Sequence, residues 1–230
     1  FKPAAMALDL RLPDVEGWLV LDRLKHDAAT RHIPIAIFSA DEQEHRALRL
    51  GAACFVQKPT PLAQVELTLA ELLRFGDGSP RRLLLVEDDA VERDAIAELV
   101  GGEGVEITAV GSGEEALKAV AGAPFQCLVT DLGLPDMTGF ALLAALQARF
   151  ESHAPPIIVY TGRDLTEREE AELRRLADVI IVKDVKSPDR LLYETSLRLH
   201  RDCAQLSPQQ QKLISDLDQA SLDLGGVLGV

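Results

Sequence analysis

Short apolar runs alternate with stretches of helical periodicity along this chain. Runs at 4–8, 33–38 and 54–57 are each followed by an amphipathic pattern, at 17–26, 42–50 and 62–75. From residue 82 the alternation starts again and runs longer. Apolar runs lie at 82–86, 105–110, 125–130, 157–160 and 179–182. Helical patterns lie between them, at 90–100, after Ser112, at 138–150, after Thr166 and after Ser187. Runs that are apolar on both faces read as buried parallel strands. Strands alternating with helices predict βαβ units with right-handed crossovers, an α/β fold. Punctuation agrees with the periodicity. Gly51 stands at a helix C-cap, Ser112 with Glu115 and Thr166 with Glu169 read as capping boxes, and Ser187-Pro188 opens the last helix of the series. Gly76-Asp77-Gly78-Ser79-Pro80 is rich in turn residues and marks a boundary. The expected organisation is a first domain over 1–75, a linker over 76–80, a second domain over 81–206 and a C-terminal helix within 207–230.

One motif occurs twice. Thr130-Asp131-Leu132-Gly133-Leu134-Pro135-Asp136-Met137-Thr138-Gly139 follows an apolar run, and Asp9-Leu10-Arg11-Leu12-Pro13-Asp14-Val15-Glu16-Gly17 follows another. The shift from Asp9 to Asp131 also carries Pro34 onto Pro156 and Ser39 onto Thr161. Lys58 and Lys183 each end a later apolar run. Such a match means two copies of one domain. Both copies keep Asp, Ser or Thr, and Lys at strand ends, where open α/β sheets bind their ligands. Packing alone does not call for that. Only the second copy has Glu87-Asp88-Asp89, after the run Leu83-Leu84-Leu85-Val86.

An acidic pair, a lone Asp, a Thr, a Lys, and Pro and Gly four and eight residues after the lone Asp form a specific set. It resembles the receiver domain of bacterial two-component response regulators. The resemblance spans most of one receiver, from its third strand onward, and then a whole second one. It implies a flavodoxin-like, doubly wound five-stranded sheet in order 2-1-3-4-5, with the first copy lacking its N-terminal half. The tandem arrangement resembles the receiver region of a hybrid sensor histidine kinase. By resemblance, Asp131 is the nucleophile that takes a phosphoryl group from a phosphohistidine. Asp88 and Asp131 bind Mg2+ directly, Glu87 acts through water, and the Gly133 carbonyl is a further ligand. Thr161 and Lys183 contact the transferred group. The implied partner is a histidine kinase or a histidine phosphotransfer domain. Asp9, Ser39 and Lys58 are the first-copy equivalents, expected to be inactive without an acidic pair. Two departures stand out. The second copy has Lys183-Asp184 where the first has Lys58-Pro59, and Ile180 where the first has the aromatic Phe55.

Charge and composition narrow the function further. The chain of 230 residues has 24 Lys and Arg against 37 Asp and Glu, a net charge of −13. That balance argues against nonspecific binding to nucleic acid or a membrane surface. No apolar run approaches the ~20 residues of a membrane span, and no signal peptide is evident. Three well-separated cysteines, Cys54, Cys127 and Cys203, read as buried reduced thiols of a cytoplasmic protein. Histidines 26, 32, 45, 153 and 200 read as surface residues. Neither an ATP-binding glycine box, a phosphorylatable histidine motif nor a DNA-binding output domain is evident, so no kinase core is expected here.

Three convergent carboxylates repel one another by energies on the order of several kcal/mol at intermediate dielectric. A hard divalent cation held by oxygens relieves this, and retained waters suit Mg2+. Asp89 reads as a helix N-terminal charge rather than a ligand. The rival to phosphoryl acceptance is a non-phosphorylated scaffold that docks through receiver surfaces. The incomplete first copy favours that rival and the acidic trio opposes it. An unpaired strand edge at 4–8 would be an aggregation liability, so the protein is expected to extend before Phe1 or to have this edge covered by another chain. The tail after Ser207-Pro208 places Leu213, Leu217, Ala220 and Leu224 on one stripe. Two readings of it stand: a helix packing back on its own domain, or a linker helix that joins a further domain or a second copy. Self-association through the first-copy edge or this helix is expected.

Overall fold

A computed structural model describes residues 3–41, 43–74, 79–150 and 155–225. The chain divides into two compact units, Pro80–Leu199 and the remainder, Phe1–Ser79 with His200–Val230. Residues 75–78, which include linker positions 76–78, and His153 lie outside the described residues, as do the last five residues.

The first unit begins with β1 (Met6–Asp9), α1 (Gly17–His26), β2 (Ile35–Ser39), α2 (Glu44–Arg49), β3 (Cys54–Gln57) and α3 (Leu62–Arg74). Its sheet is parallel and three-stranded, in order β1-β2-β3. Leu8, Leu21, Ile35, Ile37, Ala47 and Ala52 form its core. It is a partial copy, with β1 at one edge among the described strands. β2 starts two residues later than the apolar run. Residue 33 is still in a turn, with the Ile33 N–H donating to Thr30 O at 2.9 Å. The Lys58–Pro59 bond is cis.

The second unit is complete. Its elements are β4 (Arg81–Val86), α4 (Ala90–Val100), β5 (Val105–Val110), α5 (Gly113–Gly122), β6 (Cys127–Thr130), α6 (Gly139–Phe150), β7 (Ile157–Thr161), α7 (Glu167–Leu176), β8 (Val179–Val182) and α8 (Ser187–Arg198). The strand order is β5-β4-β6-β7-β8, the 2-1-3-4-5 order expected, and every pairing is parallel. Alternate residues of each strand feed opposite cores. Leu84, Val86, Leu128 and Val159 meet Ala116 of α5, Leu142, Leu143 and Leu146 of α6, and Leu173 of α7. Leu83, Leu85, Val129, Ile158 and Ile181 meet Ile96 of α4 and Leu191 of α8. Helices therefore cover both faces, as a doubly wound sheet requires. β4 and β6 are adjacent but run into crossovers on opposite sides, so the switch point opens between their carboxyl ends.

Caps follow the sequence with two changes, one of them at α8, where Lys186 rather than Ser187 stands at the N-cap. Thr166 and Glu169 form a reciprocal capping box. At α5 only half of the box forms: Ser112 Oγ accepts from Glu115 N at 3.3 Å, but Glu115 Oε2 accepts from Gly111 N at 2.9 Å.

The tail holds a short 3-10 turn (Cys203–Gln205) and α9 (Pro208–Gly225). The expected second domain ended at residue 206, whereas His200 onward groups with the first unit. Leu206 and Ile214 are buried there, and Leu213 and Leu217 are half-buried on the same side. The side chains of Ala220 and Leu224, which completed the expected stripe, lie outside the described residues. His200 is buried rather than surface-exposed, with Nδ1 3.3 Å from the buried Lys25 Nζ. All three cysteines are free, but only Cys127 is buried; Cys54 and Cys203 are half-buried.

Candidate functional site

Two strand ends of the second unit bring carboxylates together. Glu87 directly follows β4, its N–H donating to Val110 O at 3.1 Å, and its side chain is buried. Asp131 directly follows β6, its N–H donating to Val86 O at 3.0 Å. Oxygens of Glu87, Asp88 and Asp131 lie within 4.8 Å of one another. Asp88 is exposed and Asp131 half-buried. Burial raises the pKa of Glu87, partly offset by the Lys183 ammonium. An all-carboxylate set of this compactness fits a hard divalent cation.

The loops holding these groups are over-determined. Arg93 Nη1 donates to the carbonyls of Glu87 at 2.7 Å and Asp88 at 3.3 Å, which clamps the acidic loop from α4. Asp89 Oδ1 accepts from Val91 N and Glu92 N, so it is the N-cap of α4. Asp131 Oδ1 accepts from Leu132 N at 2.5 Å, which orients the carboxylate. The Gly139 N–H closes the following loop onto Leu132 O at 2.9 Å. A Cβ on Gly139 would stand 2.5 Å from Leu132 Cα, which explains glycine eight residues after Asp131. Gly133 bridges to Thr138 in that loop.

Lys183 follows β8 and reaches back across the strand ends. Its Nζ lies 2.7 Å from Glu92 Oε1, 3.0 Å from Glu87 Oε2 and 3.4 Å from Asp131 Oδ2. Burial opposes its charge, but the hydrogen bonds to Glu92 and Glu87 and the charge of Asp131 outweigh that, so its pKa stands above the ordinary lysine value. The ammonium also sits 5.2 Å from the Tyr160 ring centroid. Thr161 ends β7; its carbonyl accepts from Lys183 N at 2.8 Å and its buried Oγ1 from Arg163 N at 3.3 Å.

The first unit repeats this frame without the acidic pair. Gly17 N donates to Leu10 O at 3.1 Å and Lys58 N to Ser39 O at 2.7 Å, matching the contacts of Gly139 and Lys183. Lys58 Nζ lies 2.5 Å from Asp9 Oδ2, and that hydrogen bond chiefly lowers the Asp9 pKa. Ser39 Oγ accepts from Asp41 N. Among the described residues of this unit no carboxylate trio forms around Asp9.

The response regulator receiver domain family model matches residues 83–194. The two-component response regulator ORR11 of Oryza sativa subsp. indica is 30% identical over 115 residues, which cover 50% of this chain and 78% of that protein. The chain belongs to the response regulator receiver family. It is a phosphoryl-accepting receiver module of two-component signalling. Response regulator PleD of Caulobacter vibrioides is 26% identical over 191 residues, 70% of this chain and 42% of that protein. A CheY-like receiver domain from Methanospirillum hungatei JF-1 is 28% identical with a TM-score of 0.47, covering 54% of this chain and 97% of that one. The segment that matches the receiver family contains Glu87, Asp88, Asp131, Gly133, Thr161 and Lys183. Asp9, Ser39 and Lys58 precede it.

Three residues around this receiver site, Glu92, Arg93 and Tyr160, escaped the sequence reading. Glu92 looked like any acid in a first helical turn, where the helix dipole favours it. Tyr160 replaces nothing in the motif, yet its hydroxyl lies 3.0 Å from Ser187 Oγ and its ring underlies Lys183. Asp184, in the place of the first copy's Pro59, accepts from Lys186 N at 2.8 Å, and its own N–H donates to Ser187 Oγ at 3.0 Å.

Proposed function

We propose that Asp131 is the residue that receives the phosphoryl group. The carboxylate attacks phosphorus of a phosphohistidine on a histidine kinase or a phosphotransfer domain. A P–O bond forms as the P–N bond breaks, and the phosphohistidine ring, already protonated on its other nitrogen, leaves as neutral imidazole. The observation that carries this reading is the carboxylate trio within 4.8 Å, with Lys183 Nζ 3.4 Å from Asp131. Glu87, Asp88, Asp131 and the Gly133 carbonyl would hold Mg2+. A bound Mg2+ ion offsets negative charge in the crevice. Lys183 supplies further positive charge beside Asp131. Thr161 Oγ1 would donate to a phosphoryl oxygen and so couple the modified Asp131 to the loop after β7.

In the first unit Lys58 holds Asp9 directly, and no acidic pair stands beside it among the described residues. The match to PleD covers 70% of this chain, more than the second unit alone, which supports a tandem receiver. A hybrid histidine kinase is the parent this arrangement fits, in the cytoplasm, without contact to nucleic acid or membrane. Among the described residues no helix is long and apolar enough to cross a membrane. α9 would be a surface for self-association.

Titration of the full chain with Mg2+, followed by NMR shifts at Asp88 and Asp131, tests the site. Shifts confined to the strand ends of the second unit, and lost in Asp88→Asn, are expected. Equal affinity in that variant would overturn the metal assignment.

A further inference from the structure

Lys183 has three ammonium hydrogens, and three carboxylates stand around it. The shortest contact, 2.7 Å, goes to Glu92 rather than to Glu87 or Asp131. Glu92 is not part of the carboxylate trio. It projects from the first turn of α4, whose N-terminus Asp89 fixes through the Glu92 N–H at 3.0 Å. The same helix carries Arg93, which clamps the carbonyls of Glu87 and Asp88. Glu92 is thus held in register with the acidic loop.

We infer that Glu92 is a positioning residue that competes with the incoming phosphoryl group for Lys183. The inference rests on the receiver-site reading above. A phosphoryl oxygen on Asp131 needs an ammonium hydrogen of Lys183. A cation held by the trio would weaken the pull of Glu87 and Asp131 on the ammonium. Glu92 lies outside the trio, so a cation there would leave its carboxylate free to hold Lys183. Its negative charge also repels the anionic group that enters beside Asp131. Glu92 therefore acts as a brake on phosphorylation: it keeps Lys183 drawn toward α4 until the phosphoryl group outcompetes it.

The test uses the full chain, with Mg2+ and beryllofluoride as probes, in the wild type, Glu92→Gln, Glu92→Ala, Lys183→Ala and the Glu92→Gln/Lys183→Ala double variant. Circular dichroism checks the fold of each. Calorimetry should show Mg2+ affinity unchanged in Glu92→Gln and beryllofluoride affinity raised roughly two- to fivefold, the range of a partly exposed ion pair. Glu92→Ala should follow the same direction. In the Lys183→Ala background the Glu92 substitution should have no effect. Without Mg2+, the Lys183 ammonium resonance should shift in Glu92→Gln. If the wild type binds neither probe, the receiver-site reading itself fails. If the wild type binds both, but Glu92→Gln binds beryllofluoride equally or more weakly, or gains as much without Lys183, then Glu92 is no competitor and the brake is wrong.

Discussion

The carboxylate of Asp136 caps the helix that begins at Gly113. Its Oδ1 accepts from Gly113 N at 2.9 Å and its Oδ2 from Glu114 N at 2.8 Å. The loop after Asp131 is thereby tied to the start of α5, across the far side of the crevice from Lys183. These backbone donors hold the Asp136 pKa below the ordinary carboxylate value. A lowered folded-state pKa means a contribution that is present at neutral pH and is lost as pH falls through that value. Asp136→Ala should lower the melting temperature at pH 7, and Asp136→Asn should lower it less. The gap between wild type and Asp136→Asn should narrow in acid. A gap that widens as pH falls would contradict the cap.

Gly139→Ala places a Cβ 2.5 Å from the Leu132 backbone, and 2.7 Å from the Leu132 side chain. Backbone cannot yield as a flexible side chain can, so overpacking of about 1–3 kcal/mol is expected. The strain falls on the loop that orients Asp131. Urea unfolding should therefore show lost stability together with weakened Mg2+ binding. Full metal affinity with the loss of stability alone would show that the loop geometry does not govern the site.

How much of this was legible in the sequence follows from what carries each feature. The apolar runs marked the strands and the repeated Asp, Ser or Thr, and Lys marked the frame of the site, because strand ends of a parallel sheet converge by topology; the strand order came from the resemblance to receivers. Pro135 and Gly139 marked the loop because only glycine tolerates the close approach to Leu132. Glu92 was not legible, since a first-turn acid satisfies the helix dipole with or without Lys183. Tyr160 was hidden because an aromatic in an apolar run reads as core, and its hydroxyl finds Ser187 only through the turn that Asp184 makes. A stripe of leucines states that a face is buried, not against what, and the tail groups with the first unit. His200 and Lys25, far apart in sequence, meet only once that tail has folded onto the first unit.

Lys25 offers a pH test of that folding. Its Nζ is fully buried, donating to Arg31 O at 3.1 Å and Ile33 O at 2.7 Å beside His200 Nδ1. Burial, with the Arg31 charge, pushes its pKa down to about 7. The unfolded chain keeps this proton to a pH of about 10.4. Between these values the unfolded state binds more protons, so stability rises with pH. Trp18 is the sole tryptophan and belongs to the first unit, so its fluorescence reports that unit. Urea midpoints followed by Trp18 should rise from pH 7 to pH 10 in the wild type and lose that rise in Lys25→Met. An equal slope in both would place the titration elsewhere.

The central claim is that one aspartate of this chain takes the phosphoryl group. Among the described residues, the second unit unites an acidic pair, Asp131, Thr161 and Lys183 at the strand ends of one sheet. The added phosphoryl group carries a charge of about −1.5 to −2 at pH 7, placed next to the Lys183 ammonium. The most direct measurement is the intact mass of the full chain after incubation with a small acyl-phosphate donor and Mg2+. A single phosphoryl adduct should form, be labile to hydroxylamine, depend on Mg2+, and be absent in Asp131→Asn. An adduct that persists in Asp131→Asn, or none in the wild type with metal and donor present, would contradict the account.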